Sequence, residues 1–144
     1  MSLDGAYDPA NIFAKIVRGE APAAKLFEDD ATLAFLDAFP QARGHALAVH
    51  KTSTARNLLE VERSALERLI LTVQRVALAI RSALNPEGIV VTQFNGALAG
   101  QSVYHLHFHI IPRWPGEPLG RHGAGMADPV ELAALAKRIA AEIS

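Results

Sequence analysis

The residues best equipped for chemistry are the three imidazoles of His105-Leu106-His107-Phe108-His109. Successive side chains of an extended strand point to opposite faces, so His105, His107 and His109 share one face while Leu106, Phe108 and Ile110 share the other. The apolar face anchors the strand in a core, and the three rings look into a common space. A lone histidine reads as a satisfied polar side chain at the rim of a core; three in register read as a site. A histidine near its usual pKa of about 6.5 is a competent nucleophile at neutral pH when one ring nitrogen is held protonated and the other faces an electrophile. Its neighbours then act as donors, one stabilising charge on phosphate oxygens or protonating a leaving group, another orienting or relaying. Just upstream, Gly100-Gln101-Ser102 offers backbone N–H groups and a hydroxyl to the same phosphate.

Metal ligation is the rival chemistry, because His-x-His on a strand suits zinc. At roughly 3.3 Å per residue the outer two histidines are about 13 Å apart along the backbone, too far for one ion to take all three. Two could ligate, but no carboxylate or cysteine lies nearby in sequence to complete the set, so no metal or other cofactor is expected. Cysteine is absent altogether, which excludes disulfides, thiol nucleophiles and thiolate zinc sites.

A chain of 144 residues suits one domain, 1–144, with a long enough sequence to bury a core. Within it, 1–10 is expected to be an N-terminal extension, 114–127 a loop rich in Gly and Pro and the most mobile part, and 128–144 a closing helix. Asp8-Pro9 reads as an N-cap with proline at the first helical position, followed by Ile12, Phe13, Ile16 and Val17 at helical spacing up to Gly19. Lys25 to Glu28 and Thr32 to Asp37 read as strands joined by the Asp29-Asp30 turn, and His45 to His50 as a central strand. Glu62 to Leu84 is the longest helix, its stripe formed by Leu66, Leu69, Ile70, Val73, Val76, Ala77 and Ile80, and Asn85-Pro86 stops it. Ile89 to Asn95 and His105 to Pro112 complete five strands, and Asp128-Pro129 opens the last helix with Leu132, Leu135, Ile139 and Ile143 on one side.

Half the residues are hydrophobic, yet polar positions break every apolar run before the roughly 20 residues that a membrane helix needs. No leader pattern opens the chain, so a soluble, cytoplasmic protein is expected, with no membrane partner. Fourteen basic residues against fifteen acidic ones, with no Lys/Arg cluster, argue against nucleic acid and leave small phosphorylated ligands.

The segment Gly100-Gln-Ser-Val-Tyr-His-Leu-His-Phe-His-Ile-Ile-Pro-Arg113 resembles the signature of the histidine-triad (HIT) family. Asn11 to Glu20, Phe27 to Asp30, Ala34 to Asp37 and Pro40 to His45 agree in order and spacing, so the resemblance runs from Asn11 to Arg113 and fits the Hint branch, the nucleoside phosphoramidases. It implies an α+β, HIT-like fold: a five-stranded antiparallel sheet with flanking helices, continued to ten strands across a homodimer. It further implies that His107 attacks the α-phosphorus to form a nucleotidyl-histidine, which water then cleaves. His109 would contact the phosphate and assist the leaving group, His105 would complete the triad, and His45 would be the fourth, supporting histidine. Asp37 would hold the ribose hydroxyls, for which a two-oxygen acceptor is suited. Ile12, Phe13, Ile16, Phe35, Leu36 and Ala38 would surround a purine, and Asn95, Gln101 and Ser102 would take ribose or phosphate oxygens, Ser102 as part of the catalytic set. The apolar members of that group would otherwise read as ordinary core, and Asn95 as a strand-end cap.

Two departures fall in Val49-His-Lys-Thr-Ser53, where relatives commonly read Pro-Lys-x-His: His50 replaces the proline and Ser53 the histidine. By strand parity His50 points away from the side of His45, so no catalytic part is expected of it. The resemblance implies hydrolysis of a purine nucleoside 5'-phosphoramidate. A dinucleoside polyphosphate hydrolase or nucleotidylyl transferase would use the same nucleophile, and a nucleotide-binding interaction protein would use the pocket without needing it.

Overall fold

The protein is described from a computed structural model that covers residues 3–121 and 125–144. Five strands, β1 (Ala24–Glu28), β2 (Thr32–Leu36), β3 (Ala46–His50), β4 (Gly88–Thr92) and β5 (His107–Arg113), form one sheet in the order β1-β2-β3-β5-β4. Every neighbouring pair is antiparallel. This is the α+β arrangement, a five-stranded antiparallel sheet with flanking helices, that the resemblance implies. No helix among the described residues is long and apolar enough to cross a membrane.

Side-chain alternation divides the sheet into two faces. Ala34 and Leu36 of β2, Ala46 and Ala48 of β3, and Phe108 and Ile110 of β5 face a core shared with α2 (Arg63–Leu84) and α3 (Pro129–Ala140). Leu33, Phe35, Leu47 and Val49 face the other way, onto Phe13 and Ile16 of α1 (Ile12–Val17). His107 sits opposite Val49 and His109 opposite Leu47, so both histidines belong to the α1 face. The heavier helical layer, α2 and α3, covers one face of the sheet, and the short helix α1 packs on the other.

Several local expectations shift. The helix α1 is capped by Asn11, whose side chain accepts from Ala14 N at 2.9 Å, and not by Asp8. The Asp8 carboxylate instead takes the Ala10 N–H at 2.8 Å, closing a turn one step before the helix. In α2 the buried stripe includes Thr72 and Ala79, whereas Ile70 is exposed. Asn85 ends α2 in the left-handed region at φ 50° with its N–H on Arg81 O. Asp128 caps α3 as expected, but the helix stops at Ala140, short of Ile143. The strand β4 ends at Thr92, three residues short of the expected Asn95, and its last pair is Thr92 with His109. Residues 122–124 of the expected 114–127 loop, and 1–2 of the extension, lie outside the described residues. On either side of 122–124 the loop is tied to the turn after β2, through Gly120 N to Gln41 O at 2.7 Å and Ala127 N to Ala38 O at 2.8 Å.

Gly44 shows how tightly this turn is built. Its φ is +86°, and a Cβ there would lie 2.7 Å from Leu84 Cδ1 and 3.2 Å from Pro112 Cγ. Only glycine combines that backbone with that approach, and the next residue is His45.

Candidate active site

His107 and His109 stand side by side, their ring centroids 5.0 Å apart and their planes at 64°. Both are buried. The Phe13 ring meets His107 edge-on at 4.8 Å, and Phe94 lies 5.5 Å from His109.

The bonding partners determine which nitrogen of each ring carries the proton, since a carbonyl only accepts and a backbone N–H only donates. His107 Nδ1 lies 2.7 Å from the carbonyl of His105. Nδ1 is therefore protonated, and the lone pair of the neutral ring is on Nε2. His45 Nδ1 accepts the Gln41 N–H at 3.0 Å, which puts the His45 proton on Nε2. That proton is donated to His109 Nδ1 at 2.9 Å, so the neutral His109 ring carries its own proton on Nε2. Two adjacent imidazoles are thus held in opposite states, His107 with a lone pair on Nε2 and His109 with a proton there. Fixed backbone groups impose this difference.

His105 is placed differently from the expectation. It lies in a bend before β5 rather than within the strand, because the Leu106 N–H bonds to Ala55 O at 3.0 Å instead of joining the sheet ladder. Its ring still faces Phe13, at 6.4 Å, but what it presents to His107 is its backbone carbonyl. Burial holds the His105 ring below the usual histidine pKa, which keeps it neutral.

Asp37, His45 and His109 bring one ligand atom each within 4.8 Å of one another, all buried. The His45 tautomer argues against an ion there: the Nε2 that would ligate carries the proton, and moving that proton to Nδ1 would set it against the Gln41 N–H. Asp37 Oδ2 lies 3.6 Å from His45 Nε2, and Asp37 Oδ1 accepts from Phe39 N at 2.9 Å.

Of the expected purine wall, Phe13, Ile16 and Phe35 cluster on the α1 face, and Ile12 is exposed at the helix start. Leu36 does not join them. Its side chain is on the opposite face, in the core beneath α2 and α3, as strand alternation demands of the neighbour of Phe35. Ala38 is exposed. Ser102 is exposed beside the buried Gln101, whose carboxamide bonds to three backbone groups: Gly96 N at 2.8 Å, Arg56 O at 2.7 Å and Val103 O at 3.0 Å. Asn95 Oδ1 accepts from Leu58 N and from Gln93 Nε2, both at 3.0 Å. Gln101 and Asn95 therefore shape the loop that ends at Ser102. His50 is outside the site, accepting the Thr52 and Ser53 N–H groups at Nδ1. Phe94, Gln41 and Tyr7 are close to the histidines without having been singled out. Gln41 acts through its backbone, which no side-chain pattern reveals; Tyr7 comes from a segment without periodicity, and Phe94 lies within the expected strand Ile89 to Asn95 but beyond the end of β4.

An antiparallel sheet that sets two buried imidazoles side by side, one with its lone pair and the other with its proton on Nε2, defines a class of histidine-based sites. The HIT domain family matches residues 18–116. The Protein hit of Bacillus subtilis is 42% identical over 103 residues, 72% of this chain and 70% of that protein. The adenosine 5'-monophosphoramidase hnt1 of Schizosaccharomyces pombe is 37% identical over 142 residues, 92% of this chain and 97% of that protein. Among solved structures, a Hit-like protein involved in cell-cycle regulation from Bartonella henselae superposes with a TM-score of 0.91 at 44% identity, covering 96% of this chain and all of that one. The chain belongs to the HIT family.

Proposed function

We propose that this HIT-family hydrolase cleaves the P–N bond of purine nucleoside 5'-phosphoramidates through a nucleotidyl-His107 intermediate. The observation that carries the reading is the 2.7 Å bond from His107 Nδ1 to the His105 carbonyl, which assigns the lone pair to Nε2. Nε2 attacks the α-phosphorus; the P–N bond breaks as His109 Nε2–H hydrogen-bonds the departing nitrogen, which takes up a proton from solvent and leaves as the amine. A water then attacks the same phosphorus, its proton passes to solvent, and the P–Nε2 bond breaks to release the nucleoside monophosphate. Asp37 takes the ribose hydroxyls, Phe13, Ile16 and Phe35 with Ile12 pack against the base, and Ser102 with the backbone of Gly100 to Ser102 takes the phosphate oxygens. The name of the fission-yeast relative supports the amine leaving group.

The test is a panel. An adenosine 5'-phosphoramidate, a guanosine counterpart and a diadenosine polyphosphate are each offered to the enzyme, with initial rates measured beside mass spectra of the quenched protein. The amidates should turn over fastest and leave a nucleotidyl adduct. A dinucleotide that outpaces both amidates would move the assignment to polyphosphate cleavage, and binding of all three without turnover would make the protein a nucleotide-binding module.

The working unit is a homodimer whose sheet continues through β4. Among the described residues β4 is a sheet edge with Val90 and Val91 exposed, and Leu71 and Leu78, two turns apart on α2, are exposed as well. An uncovered apolar edge favours pairing with another chain, here a second copy. Sedimentation should give twice the monomer mass, falling to monomer for Val91→Lys; a monomeric parent protein would remove the dimer.

A further inference from the structure

The N-terminal segment from Leu3 to Tyr7 has no part in the chemistry above, yet it touches two walls of the site. We infer that this segment is a strap that positions the nucleophile, with Tyr7 as its positioning residue; the inference rests on the assignment of His107 as nucleophile.

Tyr7 Oη lies 2.9 Å from His105 Nδ1, and the other ring nitrogen, Nε2, lies 3.0 Å from His50 O. The carbonyl can only accept, so Nε2 carries the proton, Nδ1 is the acceptor and the Tyr7 hydroxyl donates. His105 lies outside the sheet, and its carbonyl is the group that holds His107 Nδ1. Tyr7 thereby fixes the residue that fixes the nucleophile.

The upstream end is anchored separately. Leu3 O accepts from Arg56 Nη1 and from Asn57 Nδ2, both at 3.2 Å. The buried Arg56 guanidinium lies 4.7 Å from the Tyr104 ring centroid, and Gly5 packs so closely on it that a Cβ would be 3.1 Å from Cζ. The Leu3 side chain lies against Gly96, where a Cβ would be 3.2 Å from its Cδ2. Gly96 N and Arg56 O are two of the three backbone groups bonded to the Gln101 carboxamide. Apart from the half-buried Tyr7 the segment is exposed.

Tyr7→Phe keeps the ring and removes only the donor. Adduct formation in single turnover on an adenosine 5'-phosphoramidate should slow by about three- to tenfold, the loss expected of one hydrogen bond, with nucleotide affinity and melting temperature unchanged. Gly5→Leu, which forces the strap off Arg56 without touching Tyr7, should reproduce the loss, and the double variant should lose no more than the worse single one. Imidazole nitrogen NMR adds an arm that needs no turnover: the His107 Nδ1 proton should exchange faster with solvent in Tyr7→Phe. Wild-type protein inactive on every nucleotide would defeat the proposed function while this arm still decides the strap. Unchanged adduct formation together with unchanged Nδ1 exchange in Tyr7→Phe overturns the strap. A parallel fall in rate, affinity and melting temperature also overturns it, since that is the signature of a merely structural contact.

Discussion

His107→Ala is expected to lower turnover of an adenosine 5'-phosphoramidate by a factor on the order of 10⁴ or more and to abolish the covalent adduct, while the chain stays folded. The rate loss follows from the chemistry. The proposed route divides one displacement by water into two steps on Nε2, and among the described residues no other ring presents a backbone-assigned lone pair to the same place: the His109 proton is on Nε2 and His105 points its Nε2–H at His50 O. Loss of a group that works as a unit with its neighbours removes nearly all the acceleration, and what survives comes from binding and phosphate stabilisation. The fold should tolerate the change. His107 lies at the start of β5, where it contributes one side-chain bond to the His105 carbonyl and a ring contact with Phe13, so about 1–3 kcal/mol is at stake against a domain stability of about 5–15 kcal/mol. Circular dichroism and sedimentation of the variant should match the parent. Adduct mapping by mass spectrometry is the decisive measurement, and a parent adduct on any other histidine, or full turnover in the variant, would sink the mechanism.

The sequence made the alternation of the triad legible because β5 is a strand with one face in the core: Phe108 and Ile110 go inward against α2 and α3, and parity alone then sends His107 and His109 to the other side. The same parity misplaced His105, two residues further upstream. Periodicity cannot show where pairing stops, and pairing stops where Leu106 bonds to Ala55 instead of a β3 residue. Leu36 illustrates the opposite lapse, since alternation separates it from Phe35 and only motif matching grouped them. The least legible features are those made by backbone groups of distant segments. The Gln41 N–H and the His50 carbonyl set the protonation of His45 and His105, and nothing in their side chains marks them. Chain reversal at Gly44, forced by a φ of +86° and a wall of Leu84 and Pro112, brings the first of these into place.

Those backbone bonds make His45 the second point of large effect. His45→Leu should cut kcat on an alkyl phosphoramidate by about 10²- to 10⁴-fold, between the effect of losing an outer-shell partner and that of a wrong histidine tautomer. His45 Nε2–H is what makes His109 Nδ1 an acceptor. Leucine offers no donor, so His109 is released to the tautomer with its proton on Nδ1, and its Nε2 then has no N–H to offer the departing nitrogen. The Asp37 carboxylate, 3.6 Å from His45 Nε2 in the parent, cannot substitute because it too is an acceptor. The loss should depend on the leaving group. An alkylamine must be protonated to depart, whereas a nitrophenolate leaves as a stable anion, so the variant should be crippled on the first and far less impaired on the second. His45→Gln, which retains an N–H donor, should recover part of the amine rate. If both leaving groups slow by the same factor, His45 acts only by shaping the pocket, and the assignment of His109 as hydrogen-bond donor to the leaving group fails with it.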